Sequence, residues 1–198
     1  MYRLGLTGSI ATGKSAVLAA FAANGVPVFS ADAAVAQLYA GEAAPAVEAL
    51  FPGVLVDGAV DRALLSRQLG QQPEKFAELE TLVHPMVRAR IASFLDAAAS
   101  AGESLAVVEV PLLYETGHDY GFDGVAVTVV DPAIQRERAL GRSGMTVEKL
   151  QTILARQLPQ AEKQSRADFV FDTGRPLAAT QAEVTALVQS LRAQQEPA

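Results

Sequence analysis

Residues 8–15 read Gly8-Ser9-Ile10-Ala11-Thr12-Gly13-Lys14-Ser15, and no other stretch constrains the fold of this chain as much. An apolar run, Tyr2–Thr7, leads in, and a helical pattern, Lys14–Asn24, leads out and stops at Asn24-Gly25. A backbone with so little side-chain bulk can wrap around a small anion and present several N–H donors at close range. The helix beginning near Lys14 turns its N-terminal N–H groups and the positive end of its dipole toward the same point. Lys14 adds a full charge, and Ser15 offers a hydroxyl to a magnesium ion held with a nucleotide phosphate. With 15 Gly, 4 Lys and 20 Ser plus Thr in the chain, a chance match has a probability of roughly two in a thousand. A strand, a glycine-rich turn and a helix in this order predict a nucleotide phosphate site.

The rest of the chain fits the architecture that such a loop requires. Short apolar runs at Val26–Ser30, Leu105–Val110, Val125–Val130 and Phe169–Asp172 join Tyr2–Thr7 as predicted strands. They are continuous rather than alternating, as expected of parallel strands covered on both faces. Helical patterns separate them, which predicts a three-layer α/β/α fold with a five-stranded parallel sheet. Val83, Val87, Ile91 and Leu95 mark one face of a helix that ends near Ala101-Gly102. Pro176 is expected to open the last helix, with Leu177, Val184, Leu187, Val188 and Leu191 as its buried stripe, and residues 193–198 are expected to fray. Residues 32–100 hold more helix than one crossover needs, with turns near Gly41, Pro52-Gly53, Asp57-Gly58 and Gln71-Gln72-Pro73, and read as a helical insertion. Residues 136–166 read as two helical stretches joined at Gly141-Arg142-Ser143-Gly144. The organisation is therefore one domain: a core of 1–31, 101–135 and 167–198, an insertion at 32–100 and a lid at 136–166.

Composition excludes several function classes. The 198 residues include 37 Ala, and without them about 31% of the chain is larger apolar residues, ordinary for a folded domain. The absence of Cys removes disulfides, thiolate catalysis and Cys-ligated metal. With two His, a zinc-type catalytic site is not expected. The N-terminus carries no signal-peptide pattern and no run of about 18 apolar residues occurs, so a cytoplasmic location is expected. The net charge of −6 argues against nucleic acid or an anionic membrane as partner. It also argues against anionic substrates, unless positive charge is concentrated locally. Residues 136–166 do concentrate it: Arg136, Arg138, Arg142, Lys149, Arg156, Lys163 and Arg166 face only Glu137, Glu148 and Glu162, a net +4.

A phosphate loop does not by itself name a reaction. The chain has no DxxG, and its only Asn is followed by Gly, so the NKxD of a guanine site cannot occur. At this length the remaining reading is a small-molecule kinase, which needs a group to orient or deprotonate the acceptor hydroxyl, a cation over the moving phosphoryl, and closure against water. Asp32 follows the second strand, at the sheet edge where ligands bind in such folds, and reads either as that base or as a helix N-cap. Arg142 sits at the tip of the lid turn, where its planar fork suits phosphate. Arg138, Lys149 and Arg166 read as a solvated helix face. Glu109, near the end of the third strand, could hold Mg²⁺ through water or support the loop backbone. His84-Pro85 and Glu115 lie near predicted element ends and could line an acceptor cleft; His118 reads as a surface loop residue.

These segments together resemble the dephospho-CoA kinase family over nearly the whole chain. Leu6–Ser15 resembles the family's opening, and Ala31-Asp32-Ala33 its Asp-Ala-Asp, with Asp32 at the second Asp. Leu82-Val83-His84-Pro85 resembles Leu-x-His-Pro, and Glu109-Val110-Pro111-Leu112-Leu113-Tyr114-Glu115 resembles Asp-x-Pro-Leu-Leu-x-Glu. Arg136, Arg142 and Arg156-Gln157 fall at lid positions, and Ala167-Asp168 to Thr173-Gly174 resembles the closing strand and turn. Three positions depart: Ser30 stands at the first Asp, Glu109 at the usual Asp, and Thr173 where Asn is common.

The resemblance implies transfer of the ATP γ-phosphoryl to the ribose 3′-hydroxyl of 3′-dephospho-CoA, with Mg²⁺, giving CoA and ADP. It places Gly8, Ala11, Thr12, Gly13, Lys14, Ser15, Ala16, Arg142, Thr173 and Gly174 around ATP. It places Asp32, His84, Pro111, Leu112 and Glu115 around the acceptor. Asp32, Lys14 and Arg142 are then the catalytic groups, with Ser15 at the metal and Glu109 reaching it through water. The expected partners are ATP and 3′-dephospho-CoA, with no nucleic acid and no membrane, and a monomer is expected. Two other readings use the same loop: a kinase for a nucleoside, nucleotide or sugar, and a catalytically silent ATP-binding regulator.

Overall fold

The computed structural model describes residues 1–195. Its elements in chain order are β1 (Tyr2–Gly8), α1 (Lys14–Ala23), β2 (Val28–Ser30), α2 (Ala31–Tyr39), α3 (Ala44–Leu50), β3 (Leu55–Val56), β4 (Ala59–Val60), α4 (Arg62–Gln71), a short 3₁₀ turn (Pro73–Lys75) and α5 (Phe76–Ser100). They continue with β5 (Leu105–Glu109), α6 (Leu113–Thr116), β6 (Gly124–Val129), α7 (Pro132–Leu140), α8 (Val147–Leu154), α9 (Gln160–Ser165), β7 (Phe169–Asp172) and α10 (Leu177–Ala193). The chain divides into two compact units, one of Met1–Phe29 with Leu95 onward, the other of Ser30–Phe94.

The first unit carries the parallel sheet, in the order β2-β5-β1-β6-β7. Strand β1 is central: Leu4 pairs in register with Val107 of β5 on one side and Gly124 of β6 on the other. Every residue of β5 is buried, which explains its unbroken apolar run. On one sheet face Leu4, Leu6, Leu105, Val107 and Ala126 pack with Val17 and Phe21 of α1 and Val184, Val188 and Leu191 of α10. Phe21 meets Phe171 of β7 edge to face, with ring centroids 6.1 Å apart. On the other face a Cβ at Gly5 would fall 2.6 Å from the Phe122 ring, so a residue without a side chain is required there. A smaller cluster of Ala11, Ala139 and Leu150, with Ile10, Leu140 and Met145, packs the glycine-rich turn against α7 and α8.

The second unit is helical except for the β3–β4 hairpin. Asp57 and Gly58 both have positive φ (51° and 81°), the two-residue turn that suits the twist of a hairpin. The sequence reading placed a turn there and missed the strands, which are two residues each. Val47, Phe51 and Val54 are fully buried in this unit. Glu48 accepts from the backbone N–H groups of Gly53, Val54 and Leu55 and fastens the chain entering the hairpin.

Three local expectations are corrected. His84-Pro85 lies inside α5, not near an element end; Pro85 has no N–H, so one turn of a long helix forgoes a bond that the other turns make. Residues 136–166 hold parts of three helices rather than two, because Pro159 ends the run after α8 and stands at the N-cap of α9. Leu177 is 56% exposed and Thr180 is buried in its place, while Val184, Val188 and Leu191 of the expected stripe are buried and Leu187 packs against the same core. Ala193 is the last helical residue, and the expected fraying beyond it falls in part on residues 196–198, outside the described residues. Among the described residues no helix is long and apolar enough to cross a membrane.

Candidate active site

The site is built at the C-terminal end of β1. Gly8 closes the strand, and a Cβ there would lie 2.2 Å from Thr128 Oγ1 and 2.8 Å from Thr12 Oγ1, so only glycine fits. Gly13 has φ 84° and a Cβ would lie 2.9 Å from Thr173 Oγ1. Ala11 also takes a left-handed conformation, φ 60°, which costs a non-glycine residue about 1–2 kcal/mol. Helix α1 then starts at Lys14 with no side-chain cap and no acidic residue in its first turn. A Ser or Asp cap is the usual solution for such a start. Without one, the positive end of the helix is left to an anion.

Hydroxyls brace this loop from beneath. The buried Thr12 hydroxyl donates to Ser9 O at 2.8 Å and lies 2.7 Å from Thr128 Oγ1. Thr173 Oγ1 donates to Thr12 O at 2.9 Å. Arg138 in turn donates to Thr173 Oγ1 (3.1 Å) and Thr173 O (2.9 Å). Arg138 is therefore part of the support for the loop, not a merely solvated residue of α7. Thr173 is 7% exposed and braces the loop; Gly174 beside it is exposed, its N–H donating to Asp172 Oδ1. Lys14 arches back over the loop, with Nζ donating to Gly8 O (2.9 Å) and Ser9 O (3.1 Å). Ser15 is exposed and Ala16 half-buried, its N–H donating to Gly13 O at 3.0 Å.

At the neighbouring strand end, Glu109 is 5% exposed and pairs in register with Leu6. Pro111 and Leu112 follow, half-buried, and Pro111 O accepts from Thr7 Oγ1 (3.2 Å) and Lys163 Nζ (3.3 Å). Lys163 is fully buried and forms an ion pair with Glu115 at 2.7 Å. Glu115 Oε1 also accepts from Leu158 N, while its Oε2 is buried without a hydrogen-bond partner. The positive charge counted on Lys163 in the lid is thus held internally rather than displayed. Arg166 pairs with Glu162 and lies over the Tyr114 ring. Burial raises the Tyr114 pKa above its ordinary value, Asp168 adds to this and Arg166 opposes it. Arg142 is exposed in the turn between α7 and α8, where its O accepts from Met145 N; Arg136 and Arg156 are exposed as well.

In the second unit, Ser30 is the N-cap of α2, accepting from Ala33 N, and Asp32 is an exposed residue of the first turn. The cap reading of Asp32 is thereby removed. His84 is half-buried in α5, and His118 of the first unit is exposed against Tyr120, at 4.6 Å between centroids. Sequence reasoning missed the supporting roles of Arg138, Lys163, Thr128, Gln135 and Gln160. A lone Thr within the apolar strand Gly124–Val129 was the one visible signal among them.

A family profile described as dephospho-CoA kinase matches residues 2–178. The chain belongs to the dephospho-CoA kinase family. A dephospho-CoA kinase from Rhodopseudomonas palustris (strain HaA2) is 51% identical over 190 residues, 96% of each chain. One from Mesorhizobium japonicum is 50% identical over 194 residues, 98% of each. Among solved structures, a protein from Thermus thermophilus aligns at TM-score 0.79 and 29% identity, covering 96% of this chain and 97% of that one. The dephospho-CoA kinase from Campylobacter jejuni shares the fold at TM-score 0.67 and 24% identity, covering 96% of each chain. Like the rest of the dephospho-CoA kinase family, the chain is an ATP-using phosphotransferase.

Proposed function

We infer that this dephospho-CoA kinase moves the γ-phosphoryl of ATP in line to the ribose 3′-hydroxyl of 3′-dephospho-CoA, and that the residues of the braced loop and lid carry the step. The observation that carries the reading is the uncapped start of α1 behind a glycine turn that five hydroxyl and guanidinium contacts brace, with Lys14 across its mouth. The backbone of residues 11–16 cradles the phosphates, and Lys14 leaves its loop carbonyls for the β- and γ-phosphate oxygens. Arg142 comes over the transferring group from the lid, 136–166. Asp32 lies in the first turn of α2, two residues past the end of β2, a strand of the same sheet; it orients the acceptor hydroxyl and takes its proton. The insertion 32–100, with His84, and the segment Pro111, Leu112 and Glu115 hold the acceptor. Thr173 and Gly174 border the adenine.

The donors available for a metal are oxygens: the Ser15 hydroxyl at the start of α1 and the Glu109 carboxylate one strand away. That set suits Mg²⁺, which prefers oxygen and keeps most of its coordination for water and substrate phosphates. When bound, the ion supplies charge neutralisation across the β- and γ-phosphates.

An ADP-release assay with ATP, Mg²⁺ and 3′-dephospho-CoA tests the assignment, beside a panel of nucleosides, nucleotides and sugars as acceptors. Stimulation by dephospho-CoA above every other acceptor is expected. A folded sample that binds ATP but answers equally or better to another acceptor overturns the assignment.

A further inference from the structure

The apex of the glycine-rich turn is held by the lid through side-chain amides. Ile10 donates its N–H to Gln157 Oε1 at 2.9 Å and accepts at its C=O from Gln135 Nε2 at 2.8 Å. Gln135, 7% exposed on α7, accepts at Oε1 from Gln160 Nε2 at 2.8 Å. Gln160, the first residue of α9, accepts at Oε1 from Val130 N at 2.9 Å. The bonds form one directed series, Val130 to Gln160 to Gln135 to Ile10 to Gln157, each group donating to the next. The direction is fixed at both ends: the Val130 N–H can only donate and the Ile10 C=O can only accept, so each interior amide has one workable orientation.

We propose that Gln135, Gln157 and Gln160 are positioning residues that couple the lid to the phosphate loop and so set ATP affinity. This rests on the reading of the loop as the ATP phosphate site. The Ile10 N–H is committed to Gln157 of the lid and its C=O to Gln135 of α7, the helix that runs into the lid, so its N–H is not a phosphate donor and that duty falls to the residues after it. The next residue, Ala11, sits at φ 60°, a conformation that an anchored Ile10 helps to hold. An open cavity of about 350 Å³ lies against Ser9 and all three glutamines. The segment linking α8 and α9 is therefore not packed solid behind the loop, and its own coupling to the turn runs through the hydrogen bonds, beside the apolar cluster that packs Ile10 and Ala11 against α7 and α8. A shift of α7 or of that segment moves Ile10, and with it the curvature that the phosphates meet.

The chemistry of the series supplies the test. Methionine keeps the length of glutamine and loses both amide functions. Glutamate keeps an acceptor and loses the donor. At Gln157 only the acceptor is used, so Gln157→Glu keeps the Ile10 bond and Gln157→Met breaks it. At Gln135 the donor is used, so Gln135→Glu and Gln135→Met both break it. Hydrogen exchange at the Ile10 amide, measured in the full chain, should accelerate about tenfold or more in Gln157→Met and stay at the parent rate in Gln157→Glu. The ATP dissociation constant, by calorimetry, and KM for ATP should rise about tenfold in Gln157→Met and in both Gln135 variants, while KM for dephospho-CoA holds. Variants that lose thermal stability while ATP affinity and Ile10 exchange remain at parent values overturn the proposal, as does equal exchange in Gln157→Met and Gln157→Glu. Exchange and calorimetry need no acceptor, so a failure of the acceptor assignment is read separately, from the parent's activity.

Discussion

Thr173 shows how much of this site rests on hydrogen bonds made beneath the loop. Its hydroxyl joins Thr12 O to Arg138, and its peptide N–H bonds Val129 O at 2.9 Å. Thr173→Val keeps the shape and leaves the buried Thr12 carbonyl without its hydroxyl partner and Arg138 with one of its two bonds there, which costs about 1–3 kcal/mol. Urea denaturation should register that loss, and ATP titration should show weaker binding, because the carbonyl released belongs to the loop. Asp32 calls for the opposite outcome. Ser30 already caps α2, so Asp32→Asn should leave the unfolding midpoint nearly unchanged while turnover falls about 10²–10⁴-fold, the range of general-base contributions. Stopped-flow phosphoryl transfer beside thermal melts separates the two; full turnover with lowered stability would mean that the residue was structural. At this scale the loop was legible from sequence because its parts are contiguous. Arg138, Thr128 and Gln135 were not, since the atoms they meet lie 35 to 125 residues away and no periodicity encodes such a meeting.

Helix α9 is six residues long and depends on what it is fastened to. Its Lys163 is fully buried against Glu115, whose side chain is 12% exposed. Removing one partner of such a pair leaves a buried charge uncompensated, at a cost of about 3–5 kcal/mol, whereas removing both is often nearly neutral. Lys163→Met should therefore destabilise strongly. Lys163→Met with Glu115→Gln, which keeps an acceptor for Leu158 N, should recover most of the loss in a double-mutant cycle read by chemical denaturation. Glu48 makes a different kind of anchor. The Gly53 N–H, then those of Leu55 and Val54, hold its pKa below the ordinary 4.5. A carboxylate whose pKa falls on folding stabilises the native state fully above its ordinary value, and that stabilisation is lost as pH falls through the lowered value. The melting-temperature gap between the parent and Glu48→Gln should accordingly be open at pH 7 and close as the pH is taken below 4.5. Element by element, the inner strands β1, β5 and β6 were legible because both faces are largely covered, leaving unbroken apolar runs, and the edge strands β2 and β7, though more open, kept short apolar runs of their own. The hairpin was not, because two-residue strands carry no period. The three helices of 132–165 were read as two because the 136–166 stretch was treated as one charged lid across Pro159.

For the whole molecule, the net charge of −6 conceals a lid segment of +4, and part of that +4 is internal, on Lys163. On the proposed reading, a triphosphate would meet the local charge of Lys14, Arg142 and the end of α1 rather than the charge of the whole chain. The sheet sets the folding order. Strand β1 pairs only with β5 and β6, about 100 residues or more further on, and the loop after it is braced from residues 128, 135, 157 and 173. Such non-local pairing slows folding relative to helix formation. In refolding from denaturant, far-ultraviolet helical signal should return first. Binding of a fluorescent ATP analogue should return only in the slow phase; binding that recovers with the early helix would contradict this order.

The division of the chain also bears on how it could be re-engineered. One boundary of the unit Ser30–Phe94 falls at the residue that ends β2 and caps α2; the other falls within α5. Neither is a linker. Exchanging this unit for one from another kinase by cutting there would sever a strand from its neighbouring helix and open a helix in mid-course, exposing four carbonyls on one stump and four N–H groups on the other. A graft meant to change the acceptor would have to keep Ser30 and carry α5 through to Ser100. The natural cassette is longer than the compact unit that it would deliver.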